Sequence, residues 1–350
     1  MAGGIGSRFW PISTSKTPKQ FHDMLGTGDS LIQKTLKRLE GLVPNENIII
    51  ATNKSYKNLV LEQLPTIKEQ QLFLEPAMRN TAPCILATAL KVYHQNPDGV
   101  LLVAPSDHWI ENEAEFIRNI QTSFDACNAH DILMTLGIKP NSPNTGYGYI
   151  QYQDETSDIK KVIQFTEKPN LEKAQEFLRQ GDYLWNAGIF VWTAKSIITA
   201  FEKHLPEMHA LFEKGKDNWN TASEQAFIDN NYGKSENISI DFGVIEKAKN
   251  VHVLPVEFGW NDLGTWGSLY DKKAIDKTEN ITIGGKAIYR ESSGNIIKTQ
   301  SHKKVVIQGL SNFIVAEKDG VLLICPKESE QDIKEIASQA NTEFGEGFDS

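Results

Sequence analysis

The feature that most constrains the fold is an alternation, over residues 1–275, of short apolar runs with amphipathic stretches of helical period. "SLIQKTLKRLEGL" opens with Ser30 and Gln33, the pattern of a helix capping box, and the buried strand "NIIIAT" follows it. "NTAPCILATALKVY" is a further helix with Thr81 as its N-cap, and "GVLLVAPSDH" is a continuous apolar strand. This β-α-β-α rhythm predicts a Rossmann-like α/β domain over residues 1–275, with a mostly parallel sheet and helices on both faces.

The pattern changes after "GTWGSL", where short strands between Gly, Asn and Asp turns replace the helices. The runs "ITIGGKAIYR", "GNIIKTQ", "KVVIQGL", "NFIVAEK" and "GVLLIC" recur about every ten residues. Residues 276–350 are therefore predicted to form a small all-β, short β-helix-like domain. The stretch "ESEQDIKEIASQA" is predicted to close it as a terminal helix.

Charge and cysteine content narrow the class of protein. A net charge of −9 argues against a general nucleic-acid binder, because phosphate backbones require a basic face. The longest apolar runs are too short to cross a bilayer, and the N-terminus lacks a signal-peptide core, so no membrane partner is expected. Cys84, Cys127 and Cys325 are odd in number and widely spaced, which indicates free thiols and a cytoplasmic location.

The N-terminal segment "MAGGIGSRFWP" is rich in glycine but fits no common phosphate-loop template. A P-loop requires Lys-Ser or Lys-Thr after its last glycine, and the dinucleotide fingerprint requires a third glycine that is absent here. Gly3, Gly4 and Gly6 would let backbone N–H groups approach phosphate oxygens, and Arg8 and Lys19 would add positive charge. We predict an anion-binding loop, although a glycine-rich turn with two surface cations stays open as an alternative.

Several motifs, taken in order, resemble those of the sugar-1-phosphate nucleotidylyltransferases, and their Trp-Pro and Lys-Gln-Phe resemble the mannose-1-phosphate guanylyltransferase branch. The matching segments are "AGGIGSRFWP", "PKQF", "EPAMRNTAPC", "APSDH", "NTGYGYI", "FTEKP", "WNAGIF", "SIDFGVIEKA" and "GWNDLGTW". Together they cover nearly all of residues 1–270. The resemblance implies the nucleotide-diphospho-sugar transferase fold and a reaction that joins GTP to mannose 1-phosphate.

The resemblance also implies a Mg²⁺ cofactor on Asp107 of "APSDH" and Asp262 of "GWNDLGTW". From the residues alone, each aspartate could equally be a helix cap or turn residue at the end of a strand. A Mg²⁺ ion bound with nucleotide phosphates needs one or two such carboxylates, which agrees with the implied pair. We expect His108 to pack rather than to bind metal, since a hard cation prefers oxygen ligands.

The same resemblance implies two groups of substrate-binding residues and a set of catalytic residues. The nucleotide group is Gly3, Gly4, Gly6, Ser7, Arg8, Lys19, Glu75, Asn80, Thr81 and Asp107. The sugar-phosphate group is Gly146, Gly148, Glu167, Lys168, Asn186 and Gly188, and the catalytic set is Arg8, Lys19, Asp107, Lys168 and Asp262. Asp241 and Glu246 match the family too, but their pattern gives them no role, and a helix N-cap at Asp241 is an equal alternative.

Glu75, at the end of the strand "LFLE", is our candidate for reading guanine. Guanine presents two adjacent donors on one edge, which one carboxylate can accept together. In related enzymes that read uracil or thymine, the position that corresponds to Glu75 resembles a Gln. The alternative is that Glu75 ends an exposed strand.

The reaction implied is transfer of GMP from GTP to mannose 1-phosphate, giving GDP-mannose and pyrophosphate. The same chemistry on another nucleotide and sugar, such as UTP with glucose 1-phosphate, and a non-catalytic nucleotide-sugar sensor both stay open. The small β domain could support a homodimer.

Both ends of the chain carry expectations from the resemblance. Only Met1 and Ala2 precede Gly3, whereas relatives carry several apolar residues there, so we expect most of the fold's first strand to be truncated. Some relatives add a C-terminal isomerase domain. This chain ends about 25 residues after "VLLIC" without a His-rich motif, so a single activity is expected.

Overall fold

The computed structural model describes residues 1–345, in which eight strands and nine helices build the larger, N-terminal part. The strands are β1 (Ile50–Asn53), β2 (Leu72–Glu75), β3 (Val100–Val103), β4 (Leu133–Ile138), β5 (Tyr149–Tyr152), β6 (Lys160–Thr166), β7 (Tyr183–Thr193) and β8 (Val251–Val256). The helices are α1 (Leu31–Leu39), α2 (Lys57–Gln63), α3 (Thr81–Gln95), α4 (Glu113–Ala129), α5 (Leu171–Gln180), α6 (Ala194–His204), α7 (Pro206–Glu213), α8 (Glu224–Asn231) and α9 (Trp266–Lys273).

The main sheet has six strands in the order β3-β7-β4-β8-β6-β5, and β1 and β2 pair separately in parallel. In the main sheet β3, β4, β5 and β8 run in one direction, and β6 and β7 run in the other. The α/β class and the prevailing strand direction are thus confirmed. The sequence pattern did not indicate that β6 and β7 are antiparallel to their neighbours.

Both faces of the main sheet are buried. Neighbouring residues of a strand point to opposite faces and so belong to different cores. Leu133 and Phe190 join the core beneath α3 and α6, whereas the next residues, Met134 and Val191, join the core beneath α4. This explains why the central strands are continuously apolar rather than alternating. The predicted arrangement of helices on both faces is confirmed.

Met1 and Ala2 lie between the two sheets. The amino group of Met1 donates to the carbonyl of Ala104, just beyond β3, at 2.8 Å. The N–H of Ala2 donates to the carbonyl of Ala51, in β1, at 2.7 Å. These first two residues thus bond to both sheets, and the expectation about a truncated first strand stays a prediction.

The C-terminal part is a short parallel β-helix followed by a helix. Its elements are β9 (Ile281–Ile283), β10 (Lys286–Arg290), β11 (Ile296–Lys298), β12 (Lys304–Gln308), β13 (Phe313–Lys318), β14 (Val321–Pro326) and α10 (Ile333–Phe344). Ile281, Ile296 and Ile314 stand in register in three parallel strands, while β14 returns antiparallel. The predicted β-helix-like domain and terminal helix are confirmed. Residues 346–350 of its predicted range lie outside the described residues, and its boundary at 276 stays a prediction.

Two local predictions have different outcomes. The capping box of Ser30 and Gln33 is confirmed, with reciprocal hydrogen bonds of 3.4 and 2.9 Å. The N-cap at Thr81 is wrong, because Asn80 holds the cap position and the Thr81 hydroxyl instead accepts the N–H of Ile240 at 2.9 Å. In residues 1–345 every helix is too short or too polar to cross a membrane.

Candidate active site

Lys19 is a buried cation that joins three separate parts of the chain. Its backbone N–H donates to the carbonyl of Ile5, which fixes it to the glycine-rich loop. Its side chain is only 5% exposed, and its ammonium lies 2.8 Å from a carboxylate oxygen of Asp107. The same ammonium donates to the carbonyls of Asp262 and Leu263 at 2.9 and 3.0 Å. The alternative in which Lys19 is a surface cation is therefore wrong.

Asp107 lies four residues beyond β3, and the N–H of the preceding Ser106 donates to the carbonyl of Met1 at 2.9 Å. Burial would raise the pKa of its carboxyl, but the nearby ammonium of Lys19 and the hydrogen bonds to the carboxylate together hold that pKa below its usual value. Asp107 is therefore an anion at neutral pH. The neighbouring His108 packs edge-on against Trp260, whose indole N–H donates to His108 Nδ1 at 3.1 Å. Burial lowers the pKa of His108, so its ring is neutral.

A two-residue bridge joins the segment that carries Asp262 to the segment that carries Asp107. Trp109 and Asn261 exchange backbone hydrogen bonds of 2.8 and 3.0 Å, although 152 positions separate them. Asp262 follows that bridge directly, and its Oδ1 accepts the hydroxyl of Tyr147 at 2.8 Å and the N–H of Gly264 at 3.1 Å. Asp262 is thereby oriented from two sides.

The three loop glycines meet different surroundings. Gly6 has φ +74°, and a Cβ there would lie 2.6 Å from the Cβ of Lys19, so only glycine permits this approach. A Cβ on Gly3 would lie 3.3 Å from a carboxylate oxygen of Glu75. Gly4 is exposed, and a Cβ on it would meet no protein atom within 4 Å. The loop therefore leaves open space beside Gly4.

Arg8 has a hydrogen-bond partner in the C-terminal part of the chain. Ser7 and Arg8 belong to a single helical turn, Ser7–Phe9, that follows the glycines. The exposed Arg8 side chain donates through Nε to Gln331 Oε1 at 2.9 Å, so its partner belongs to the C-terminal part. The predicted joint contact of Arg8 and Lys19 with phosphates stays a prediction.

Glu75 is buried rather than exposed at the end of β2. Its exposed fraction is 8%, so the alternative of an exposed strand end is wrong. Tyr232 donates its hydroxyl to Glu75 Oε1 from a fully buried position. Burial raises the pKa of Glu75, and the bond from Tyr232 opposes that rise. The nearby Asn80 has φ +58° and donates its amide to Asn237 at 2.8 Å.

Glu167 and Lys168 form a second polar cluster beyond Tyr147. A Cβ at Gly148 would overlap a carboxylate oxygen of Glu167 and lie 3.0 Å from the ring of Phe165, so these side chains would have to move to admit one. The N–H of Glu167 donates to Glu246 Oε1 at 3.3 Å. Lys168 has φ +45°, and its ammonium lies 3.1 Å from Glu167 Oε1 with the side chain largely exposed.

Asn186 is held from every side within β7. Its side-chain nitrogen Nδ2 donates to Asp241 at 2.9 Å. Its side-chain oxygen Oδ1 accepts the Thr135 hydroxyl at 2.9 Å and the N–H of Gly188 at 3.1 Å. Gly188 has φ +66°, which favours glycine. Burial, with the nearby Glu167 carboxylate, raises the pKa of Asp241 to about 6. Asp241 and Glu246 thus belong to the same cluster as the predicted sugar-binding residues.

The sequence analysis missed two tyrosines. Tyr147 orients Asp262 and packs edge-on between the rings of Trp185 and Trp260. Its position between Gly146 and Gly148 was the available signal, since glycines on both sides leave one side chain to fill the site. Gly146 itself donates its N–H to the side chain of Asn144 at 2.8 Å. Tyr232, the partner of Glu75, lies in a segment whose sequence carries no comparable signal.

Family models match most of the chain. A nucleotidyl transferase model matches residues 1–279, which contain every predicted site residue. A model of the MannoseP isomerase/GMP-like β-helix domain matches residues 285–339.

Similar proteins include mannose-1-phosphate guanylyltransferases from two bacteria. The Escherichia coli protein is 32% identical, over 96% of this chain and 74% of its own length. The Klebsiella pneumoniae protein is 33% identical, over 95% and 71%. The alginate biosynthesis protein AlgA of Pseudomonas aeruginosa is 32% identical, over 98% and 72%.

Among solved structures, a Thermus thermophilus protein described as a mannose-1-phosphate geranyltransferase has the same fold. It has a TM-score of 0.89 and 30% identity, with 97% of this chain and 98% of that chain covered. A mannose-6-phosphate isomerase from Helicobacter pylori has a TM-score of 0.61 and 28% identity, with 70% and 95% covered.

Proposed function

This chain belongs to the nucleotidyl transferase family, among its mannose-1-phosphate guanylyltransferases, and on that premise we propose that it transfers GMP from GTP to mannose 1-phosphate. The products are GDP-mannose and pyrophosphate. The observation that carries the proposal is the Lys19 ammonium between the Asp107 carboxylate and the Asp262 loop. A buried cation and two carboxylates beside a glycine-rich loop suit a polyphosphate substrate.

The reaction is an in-line displacement at the α-phosphorus of GTP. A phosphate oxygen of mannose 1-phosphate forms a bond to that phosphorus, and the bond from the phosphorus to the bridging oxygen of the β-phosphate breaks. Pyrophosphate leaves with that electron pair. The nucleophile is already an anion, so it needs no general base, and catalysis consists of positioning and charge neutralisation.

Lys19 would supply positive charge near the departing pyrophosphate. The glycine-rich loop and Asp107 hold Lys19 in place. Arg8, whose Nε is held by Gln331, would add its guanidinium charge to the same phosphates. The open space beside Gly4 would let backbone N–H groups contact phosphate oxygens. Lys168, whose side chain is largely exposed, would bind the phosphate of the sugar.

Asp107 and Asp262 would hold a Mg²⁺ ion. A hard cation prefers carboxylate oxygens, and nucleotide phosphates complete its coordination. In residues 1–345 no group of three or more His, Cys, Asp or Glu side chains is arranged to hold a metal. When bound, Mg²⁺ would neutralise negative charge on the α-phosphate oxygens.

The test is a panel of four nucleoside triphosphates against the 1-phosphates of mannose, glucose and N-acetylglucosamine, with pyrophosphate release measured. We expect the highest kcat/KM for GTP with mannose 1-phosphate. A preference for UTP with glucose 1-phosphate would assign the same chemistry to other substrates. No release from any pair would point to a non-catalytic nucleotide-sugar-binding protein.

A further inference from the structure

Two lysines of the β-helix, one buried and one partly buried, contact the segment that carries Lys19. Lys318, at the end of β13, donates its ammonium to the carbonyl of Ile12 at 3.0 Å. Lys298, at the end of β11, donates its ammonium to the carbonyl of Asp23 at 2.6 Å. Lys19 lies between these two carbonyls in the chain, so the C-terminal part holds the segment on both sides of it.

A third contact comes still nearer to Lys19. The Nε2 atom of His22 lies 2.9 Å from the carbonyl of Thr17 and 3.3 Å from the ammonium of Lys318. Burial, followed by the charge of Lys318, lowers the pKa of His22 to about 4, so the ring is neutral. Nε2 then makes one of the two bonds at a time: it donates to the Thr17 carbonyl when it carries the ring proton, and accepts from Lys318 when it does not. Lys318 therefore also contacts a side chain three residues after Lys19.

Both ammonium groups are largely removed from water, which is unfavourable for a charged group. Lys298 is only 8% exposed, and the side chain of Lys318 is 19% exposed. A buried ammonium is retained only where its polar partners compensate for the loss of water. An apolar side chain of similar length would fill the same space but would leave the carbonyl without a donor. The two lysines thus hold the backbone in one position rather than merely filling the core.

We propose that Lys298 and Lys318 are positioning residues for nucleotidyl transfer, which hold the Lys19 segment so that the charge of its ammonium stays beside the reacting phosphates. This inference rests on the proposed function, since it takes Lys19 to act on those phosphates. The β-helix then contributes to the reaction rate without touching substrate. A small displacement of a catalytic group is enough to lower a rate strongly.

The test is a double-mutant cycle in the full chain. Pyrophosphate release is measured for the wild type, Lys298→Met, Lys19→Ala and the double variant, with kcat and KM separated and thermal unfolding followed in parallel. Lys304→Met, which removes an exposed lysine of β12, is the matched control. We expect Lys298→Met to lower kcat about tenfold or more, and the control to leave it unchanged.

The cycle separates positioning from a structural role. In the Lys19→Ala background, Lys298→Met should lower kcat less than about twofold, because the group that it positions is gone. An equal loss in both backgrounds, or a folded Lys298→Met with wild-type kcat, would overturn the proposal. Lys298→Gln and Lys318→Met serve in the same cycle if Lys298→Met does not fold.

A failure of the proposed function is recognised separately. If the wild type prefers another nucleotide and sugar phosphate, the substrate assignment is wrong, and the same cycle with that pair still decides the role of Lys298. If the wild type releases pyrophosphate from no pair, both proposals are overturned.

Discussion

Trp109 and Asn261 exchange two backbone hydrogen bonds, and through this bridge Asp107 and Asp262 come to the same place. Asp107 lies two residues before the bridge and Asp262 lies one residue after it. Lys19 then contacts both loops at once. Three segments that are far apart in sequence are thereby held together by backbone bonds and by one buried cation.

Asp262→Asn should retain the fold and lower kcat by about 100-fold or more. An amide oxygen can still accept from Tyr147 and Gly264, whose bonds measure 2.8 and 3.1 Å, but it carries no charge for a metal ion. Turnover is measured as pyrophosphate release at saturating substrates. Tyr147→Phe is the control, since it removes one bond and keeps the carboxylate, and its loss should be much smaller. Near wild-type turnover in folded Asp262→Asn would remove Asp262 from the metal assignment.

Lys19→Ala should lower kcat more strongly than it weakens GTP binding, because the charge of Lys19 matters most as pyrophosphate departs. GTP affinity is measured directly by calorimetry, and kcat by pyrophosphate release. Lys16→Ala, on the same segment but without a role in the cluster, is the control. A change confined to KM, with kcat unaltered, would contradict this role for Lys19.

Much of the fold could be predicted from the sequence, because the burial of a strand determines which of its residues are apolar. Continuous apolar runs predicted strands covered on both faces, and the regular spacing of short strands predicted a small β-helix-like domain. Its parallel strands stand in register at Ile281, Ile296 and Ile314. The antiparallel direction of β6 and β7 was not predictable, since apolar alternation is the same for a strand read in either direction.

The sequence motifs selected residues that the structure brings together, but they did not indicate all of the contacts of those residues. Short motifs identified Lys19, Asp107 and Asp262, which the structure brings together. The partners of Arg8 and Glu75 lie 323 and 157 positions away, in Gln331 and Tyr232, and no local pattern encodes such pairings. Long-range partners of this kind depend on tertiary packing alone.

Gly4→Ala should leave stability within about 0.5 kcal/mol but weaken GTP binding. A Cβ at Gly4 meets no protein atom within 4 Å, so any loss of affinity reports a ligand that approaches the loop. Gly233→Ala is the matched control, because its Cβ also meets no protein atom within 4 Å. Unfolding by urea and GTP calorimetry are measured for both variants. Unchanged GTP affinity in Gly4→Ala would place the phosphates elsewhere.

Glu75→Gln should reduce the preference for GTP over UTP by about 10- to 100-fold, because an amide cannot accept two donors as a carboxylate does. The bond from Tyr232 to Oε1 opposes the rise in the pKa of Glu75 that burial causes, and so supports its ionised form. Tyr232→Phe should therefore shift the same ratio in the same direction. The measurement is kcat/KM for both nucleotides with mannose 1-phosphate. An unchanged ratio in folded Glu75→Gln would mean that another group reads the base.

The raised pKa of Asp241 predicts that the free energy of unfolding depends on pH. Burial, then the nearby Glu167, raises its pKa in the folded protein to about 6, against 3.8 for an ordinary aspartate. The folded state thus holds this proton more tightly than the unfolded chain. The stabilisation from protonated Asp241 is complete below about pH 4 and is lost as the pH rises through about 6.

Asp241→Asn should therefore be more stable than the wild type at about pH 7.5, by about 1–3 kcal/mol, and the difference should shrink as the pH falls to about 4.5. An asparagine keeps an oxygen for the Asn186 amide, whose nitrogen now lies 2.9 Å from Asp241, and it avoids burying a charge beside Glu167. Free energies of unfolding are measured by urea titration at several pH values, with the exposed Asp154→Asn as the control. A gain in stability that is equal at every pH, or absent above neutrality, would show that Asp241 is ionised in the folded protein without penalty. If turnover with mannose 1-phosphate falls in the same variant, Asp241 retains an unfavourable charge because the bound sugar requires it.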